Sequence, residues 1–315
     1  MRPVRSRAPI VTRAQWVPVG LASEVKRKHS TSPKRVIIHD TTPLALFWDA
    51  ERASAAVVGD RCHHRGASLS VGRVDGGCIR CKYHDHVTKP RPSLTVVKDG
   101  IVWYDDDTFG PGTRGGPAAM HASWEFDEGQ RTYSYVRHFP DCNALYMLEN
   151  TLDWSHLEHI HRFSFVEGQP EVELHSDRVA TYTYETSLPD TILEVENEWY
   201  DSWSTCLRFS VGPPGGDLSH QFSLHFAFIP TGRSGCSVIV RVTRQCFLWT
   251  GVLGDLALML SNELPLHEDR EIVQTIIPDH CWGDDRLGAE DAFLRNFRRH
   301  WKEHYPKLVE YYACG

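Results

Sequence analysis

Two pairs of residues, Cys62-x-His64 and Cys81-x-x-His84, constrain this chain more than any other feature. Neither pair is long enough to close a metal site alone. The chain must therefore fold two loops onto one another to unite two thiolates and two imidazoles. Such a set suits tetrahedral zinc or a [2Fe–2S] cluster in which two histidines replace two cysteines on one iron. Neutral imidazoles remove negative charge from that iron, so the cluster accepts an electron more readily than its all-cysteine counterpart. Typical zinc spacings leave two residues or more between paired ligands, and the single residue between Cys62 and His64 favours the cluster. Cys78 and Cys81 form a further C-x-x-C pair, but no second such pair completes a four-cysteine site, and Cys78 reads as a bystander.

About seventy residues further on, Asp153-x-x-His156-x-x-x-x-His161, preceded by Glu149-Asn150, gathers a second set of metal-binding side chains. Two histidines and one carboxylate on a single face are the ligand set of non-haem ferrous oxygenases, which leaves positions open for dioxygen and substrate. Helix geometry favours His156 with His159, which lie three apart and share a face. His156 and His161 lie about 140° apart round a regular helix. Their use together requires the helix to break or bulge, as helices do at functional sites. On local geometry His159 and His161 compete, and the segment also reads as a histidine-rich amphipathic helix with surface imidazoles.

Cys62-x-His64-Arg65-Gly66 with Cys81-x-x-His84 resembles the cluster motif of Rieske oxygenases, and Asn150, Asp153, His156 and His161 match that family's Asn-x-x-Asp-x-x-His-x-x-x-x-His position by position. The resemblance runs from Trp16 to the C-terminal helix. It implies that Cys62, His64, Cys81 and His84 hold a [2Fe–2S] cluster and that His156 and His161 bind a mononuclear ferrous ion. It makes Asp153, beside Asn150, an acid that bridges electron transfer from a cluster histidine of a neighbouring subunit. The third iron ligand it implies is Asp269, in Leu266-His267-Glu268-Asp269-Arg270, with Glu268 chemically equivalent one residue away. An acidic start to a helix, favoured by its dipole, is the bland reading of the same residues. The second cluster loop departs from the usual Cys-Pro-Tyr-His-Gly-Trp, with Lys82, Asp85 and His86 in place of Pro, Gly and Trp. Asp tolerates left-handed backbone better than most residues, so the turn is expected to survive. Its carboxylate beside His84 is expected to lower the cluster potential.

The family resemblance further implies a head-to-tail homotrimer in which the cluster of one subunit serves the iron of the next. Its activity is monooxygenation, by hydroxylation or demethylation, of a small organic substrate with dioxygen. The alternative is cis-dihydroxylation, and a plain electron carrier is a weaker reading. No G-x-G-x-x-G or P-loop is visible, so electrons are expected from a separate NAD(P)H-dependent reductase or ferredoxin. A net charge of −7 argues against nucleic acid as a partner, and no apolar run approaches the length of a membrane span. Nine cysteines, an odd number, point to free thiols and a reducing, cytoplasmic setting.

The expected architecture is α+β: a small all-β cluster domain followed by a catalytic domain with a large antiparallel sheet and helices, of the helix-grip kind. Residues 1–14 read as a flexible tail, with four arginines and no acid, residues 15–112 as the cluster domain and residues 113–315 as the iron domain. In the first domain, Val36–Ile38, Leu44–Trp48 and Ala55–Val58 are β-rich, and Thr95–Trp103 is a hairpin around Asp99-Gly100. A glycine- and proline-rich linker is expected over Asp107–Pro117. Beyond it, helical spacing marks Asn143–His161, and alternating strands follow at 179–186, 192–200, 205–211, 221–229 and 237–247. Helices are expected at 253–263, 266–277 and 290–305. Phe293, Phe297, Trp301 and Tyr305 form a stripe read as core or subunit contact. Glu194, Glu196 and Glu198 read as a solvated strand face.

Overall fold

The structure is a computed structural model that describes residues 16–91, 94–106, 130–167, 172–200, 203–245, 251–276, 280–289 and 291–313. The expected linker at 107–117 and the 112/113 boundary fall outside these residues.

Residues 16–106 build three small antiparallel sheets. The first pairs β1 (Trp16–Leu21) with β9 (Ile101–Asp105) and β9 with β8 (Thr95–Lys98). Between β8 and β9, Asp99 and Gly100 both adopt positive φ, 54° and 74°, as the Asp-Gly sequence predicts for a two-residue hairpin. The second joins β2 (Lys34–Ile38), β3 (Thr42–Asp49) and β4 (Ser54–Gly59), and the third β5 (Arg73–Asp75), β6 (Cys78–Arg80) and β7 (Val87–Thr88). A short helix, α1 (Ala22–Lys28), was not expected. Its one buried side chain, Val25, leaves too little apolar periodicity to read.

The second region is dominated by a seven-stranded antiparallel sheet in the order β10-β16-β15-β14-β13-β12-β11. Its strands are β10 (Gln130–Phe139), β11 (Glu173–Ser176), β12 (Val179–Glu185), β13 (Ile192–Tyr200), β14 (Ser204–Gly212), β15 (Ser219–Gly232) and β16 (Gly235–Gln245). The five alternating stretches of the sequence are β12 to β16. Both edge strands were missed: β10 because its alternation is of Thr, Tyr, Ser and Arg rather than aliphatic residues, and β11 because its four residues are all exposed. The solvated-face reading of β13 needs correction. Glu194 and Glu196 are half-buried, and Glu198 is buried, accepting a hydrogen bond from the Tyr200 hydroxyl at 3.1 Å.

Helices cover one face of this sheet. The expected helix over 143–161 is in fact two, α2 (Ala144–Asn150) and α3 (Ser155–His159). Hydrogen bonds to residues 151–155, one of them from a distant strand, break it. The Thr151 hydroxyl donates to Leu148 O at 2.7 Å, Asn197 Nδ2 donates to Thr151 O at 2.5 Å, and Asp153 takes the Ser155 N–H. Downstream the two expected helices are one, α4 (Gly251–Val273), which runs through Pro265 at the cost of one intrahelical hydrogen bond. Inward-facing Leu266, Asp269 and Val273 anchor the turns that follow the proline. α5 (Ala292–His304) and an unexpected α6 (Pro306–Ala313) complete the chain. Phe293, Phe297 and Trp301 are fully buried, with Phe297 edge-on to Trp199 and Trp301 edge-on to Trp203. Phe293, Phe297 and Trp301 of the stripe are core, as are Trp199 and Trp203, while Tyr305 is half-buried.

Asn143 fixes the start of α2 and hence the helix that leads to Asp153. Its Oδ1 accepts from Leu145 N at 2.8 Å, and its Nδ2 donates to Tyr312 O at 2.7 Å. Replacing Asn143 by Ala removes a cap and leaves a buried carbonyl unpaired. Stability is expected to fall by about 1–3 kcal/mol, read as a lower denaturant midpoint at constant slope.

The two regions are bonded to each other at the β2–β3 turn. His39 and Asp40 hold positive φ of 52° and 58°, and His39 N donates to Pro230 O at 2.8 Å. The His39 imidazole, fully buried, hydrogen-bonds the Tyr312 hydroxyl at 2.6 Å, and Tyr311 donates to Asp40 at 2.8 Å. No helix among the described residues is long and apolar enough to cross a membrane.

Candidate metal centres

The two cysteine loops share one backbone frame. Cys62 N donates to Ala67 O and Gly66 N to Cys62 O, both at 2.8 Å. Cys81 N donates to His86 O and Asp85 N to Cys81 O, both at 2.9 Å. Each loop turns back at a residue of positive φ, Gly66 at 72° and Asp85 at 57°. Asp85 thus occupies the left-handed position that a glycine would otherwise fill.

Both cysteines are buried and both histidines exposed. The Cys62 thiol hydrogen-bonds Cys81, while the His64 and His84 rings meet edge-on with centroids 4.8 Å apart. The Tyr83 N–H aimed at Cys81 lowers its pKa. Burial opposes this, and the Cys62 thiol and the His84 N–H add to it. Such N–H donors suit a sulfur that carries negative charge. A sulfur pair inside and an imidazole pair outside fit a two-iron cluster with one histidine-bound iron facing solvent. They fit a single zinc tetrahedron poorly: among the described residues, the one trio of His, Cys, Asp or Glu whose ligand atoms all lie within 4.8 Å of one another is elsewhere.

Cys78, the expected bystander, turns its sulfur to Asp75 O at 2.9 Å. Asp85 pairs with Arg73 at 2.7 Å and Arg80 at 3.0 Å. Two guanidinium groups offset its charge, so the lowering of cluster potential expected from this carboxylate shrinks accordingly.

That converging trio is His156, His161 and Asp269. His161 reaches it because α3 ends in a specific way. Phe163 N donates to Leu157 O at 3.1 Å, with Arg162 in the left-handed region at φ 59°. This closure, from the sixth residue beyond Leu157, reverses the chain after His161 and leaves its ring 5.2 Å from that of His156. His159 is exposed and stays outside the trio. The Asp269 Oδ1 lies 3.0 Å from His161 Nε2 and 3.4 Å from His156 Nε2.

The remaining ring nitrogens are engaged elsewhere. His156 Nδ1 donates to the Asp153 backbone carbonyl, and His161 Nδ1 lies 2.8 Å from Glu268 Oε2. Both Nε2 atoms therefore face Asp269, the tautomer a metal ligand requires. Asp269 is held down to about 2: burial opposes ionisation, but the hydrogen bonds of His156 and His161 outweigh it. Burial also works against the charged form of His161, yet hydrogen bonds to Asp269 and Glu268 raise its pKa. The arrangement is a hole for positive charge, which a proton or a divalent ion fills.

Asp153 stands at the head of α3, where its Oδ1 accepts from Ser155 N at 3.0 Å and Ser155 Oγ at 2.8 Å. With Asn150, His156, Asp269, Ile272 and Arg298 it lines a cavity of about 380 Å³. Glu149, also in the cavity wall, is buried, accepting from Arg298 Nε and, at 3.0 Å, from Trp282 Nε1. Burial pushes the Glu149 carboxyl up to about 7 against both donors. Sequence reasoning missed the part of Glu268, because adjacent carboxylates read as alternatives for one place, whereas they meet opposite edges of one imidazole.

Comparison with known proteins matches residues 15–88 to the Rieske [2Fe–2S] domain family. The chain is 28% identical to the dicamba O-demethylase oxygenase component of Stenotrophomonas maltophilia, over 48% of each protein. It is 29% identical to the tert-butanol monooxygenase / tert-amyl alcohol desaturase oxygenase subunit of Aquincola tertiaricarbonis, over 50% of this chain and 36% of that one. The chain thus spans about half the length of these relatives or less. A match to the methylxanthine N1-demethylase NdmA of Pseudomonas putida, at 23% identity, covers 91% of this chain and 88% of the relative. Among solved structures, dicamba monooxygenase bound to 3,6-dichlorosalicylic acid superposes with a TM-score of 0.71 at 19% identity, over 94% of this chain and 98% of that one. Pseudomonas putida CBB5 NdmA gives 0.69 at 18% identity, over 96% and 95%. The chain therefore carries a Rieske [2Fe–2S] domain at its front and is similar to Rieske oxygenase components, whose α+β fold it shares throughout.

Proposed function

We propose that this chain is the oxygenase component of a multicomponent Rieske system that hydroxylates or demethylates a small organic substrate with dioxygen. The convergence of His156, His161 and Asp269 behind a Rieske domain carries this reading. In it, Cys62, His64, Cys81 and His84 hold the cluster, and residues 15–112 and 113–315 are the cluster and iron domains. His156, His161 and Asp269 hold the mononuclear iron, which when bound supplies open coordination positions for dioxygen. The protein supplies position and charge. Asp269 neutralises part of the ion's charge, and the Asp153 carbonyl and Glu268 keep both imidazoles in the ligating tautomer.

Asp153 is the electron bridge, with Asn150 beside it at the mouth of the cavity. Its carboxylate accepts a hydrogen bond from His64 or His84 of a second copy in a head-to-tail homotrimer. Charge supports such a contact: residues 15–106 hold 14 Lys and Arg against 10 Asp and Glu, and residues 107–315 hold 16 against 31. The electrons come from a separate NAD(P)H-dependent reductase or ferredoxin. The seven described cysteines are all free, which suits a reducing cytoplasm.

The test is turnover of the iron-loaded chain with a reductase and ¹⁸O₂ against aromatic ethers, N-methyl heterocycles and tertiary alcohols. One labelled oxygen in the product, or formaldehyde release, supports the reading. Two labelled oxygens in a cis-diol support dihydroxylation instead. No oxygen uptake with any substrate, despite full metal loading and a reducible cluster, overturns both.

A further inference from the structure

We infer that Glu268 is a positioning residue for the mononuclear metal, holding His161 in the ligating orientation through the ring nitrogen that faces away from the ion. The inference rests on the reading that His156, His161 and Asp269 bind that ion.

Consecutive residues on a helix project about 100° apart, so Glu268 and Asp269 on α4 cannot both point at one spot. They straddle His161 instead. Glu268 Oε2 lies 2.8 Å from Nδ1, and Asp269 Oδ1 lies 3.0 Å from Nε2. A neutral imidazole carries one N–H. With that hydrogen given to Glu268, the Nε2 lone pair is left for the metal. Glu268 therefore selects the tautomer, fixes the ring plane and, being charged, makes the imidazole a stronger donor.

His156 is supported differently. Its Nδ1 donates to a backbone carbonyl, which is neutral and not open to substitution. The two histidines are thus unequal, and only one of them can be tuned through a side chain. The His161 side chain is 3% exposed and that of Glu268 is 35% exposed, so solvent partly screens the carboxylate. Its effect belongs at the lower end of the about 10- to 100-fold that such outer partners contribute to metal affinity.

The experiment titrates Co(II) into full-length protein with its cluster intact and its mononuclear metal removed by chelator under anaerobic conditions. Affinity and the visible Co(II) bands are followed in wild type, Glu268→Gln, Glu268→Ala and Asp269→Ala. Glu268→Ala is expected to bind about 10-fold more weakly with shifted bands. Glu268→Gln keeps an acceptor for Nδ1–H but loses the charge, and is expected to recover part of that loss. The cluster absorbance serves as the check that each variant is folded. If Glu268→Ala binds as wild type does while Asp269→Ala does not bind, the role of Glu268 is wrong and the ligand trio stands. If Asp269→Ala binds as wild type does, the trio itself is wrong.

Discussion

Asp269→Ala is expected to lose about one iron in three from the loaded protein while leaving the cluster spectrum intact, and to lower turnover by more than about 100-fold. The reasoning begins with charge. Asp269 is nearly buried and is the carboxylate that both Nε2 atoms face, at 3.0 and 3.4 Å. Its removal leaves a dication with two neutral imidazoles in a poorly hydrated site, and uncompensated buried charge is strongly disfavoured. Partners that only orient a ligand cost about 10- to 100-fold in affinity or activity, and loss of the ligand itself must exceed that. Iron analysis with oxygen uptake checks the result. A variant that retained all its iron and its turnover would show that the metal sits elsewhere. Glu268 is poorly placed to substitute, since its carboxylate meets the far edge of His161.

The second large effect is expected at Asp153. Asp153→Asn should keep every iron and a reducible cluster, yet slow reoxidation of the cluster by dioxygen and substrate by about 10- to 100-fold. That is the kinetic equivalent of one lost charge-assisted hydrogen bond of about 1.5–3 kcal/mol. Asn is chosen because the present side chain also holds the turn that leads into α3 through Ser155 N and Ser155 Oγ. An Asn amide oxygen accepts the same two hydrogen bonds, so the fold and the adjoining His156 are preserved while the charge is lost. Rapid mixing of reduced protein with oxygen, followed at the cluster absorbance, measures the rate. Unchanged reoxidation would remove Asp153 from the electron route.

The sequence carried the strand pattern of both regions because cross-sheet burial imposes its own period on the residues, as in β12 to β16. It carried the β8–β9 hairpin because Asp99-Gly100 has few other uses. It did not separate His159 from His161 on physical grounds. The deciding feature is the reversal at Arg162, a left-handed residue that is not glycine and leaves no local signature. The break at 151–154 was equally hidden, since its partners include Asn197, far away in the chain. The helices expected at 253–263 and 266–277 are one continuous α4, because packing of the turns after Pro265 outweighs one missing hydrogen bond. Glu268 and Asp269 were both visible as acids. Only their placement around one ring showed that they cooperate.

The junction at His39 bears on how the polypeptide is made. A histidine in the β2–β3 turn of the front region ends in a sealed pocket against a tyrosine 273 positions later, and that tyrosine sits in the final described helix. During synthesis the front sheets, with the Asp106 carboxylate that lies 3.3 Å from His39 Nε2, emerge early, but the tyrosine that completes the pocket follows only after the seven-stranded sheet has been made. Such distant pairings are slow to form and leave sticky surface uncovered in the meantime. The cluster loops, closed by bonds within a few residues of each cysteine, take shape long before that wait is over.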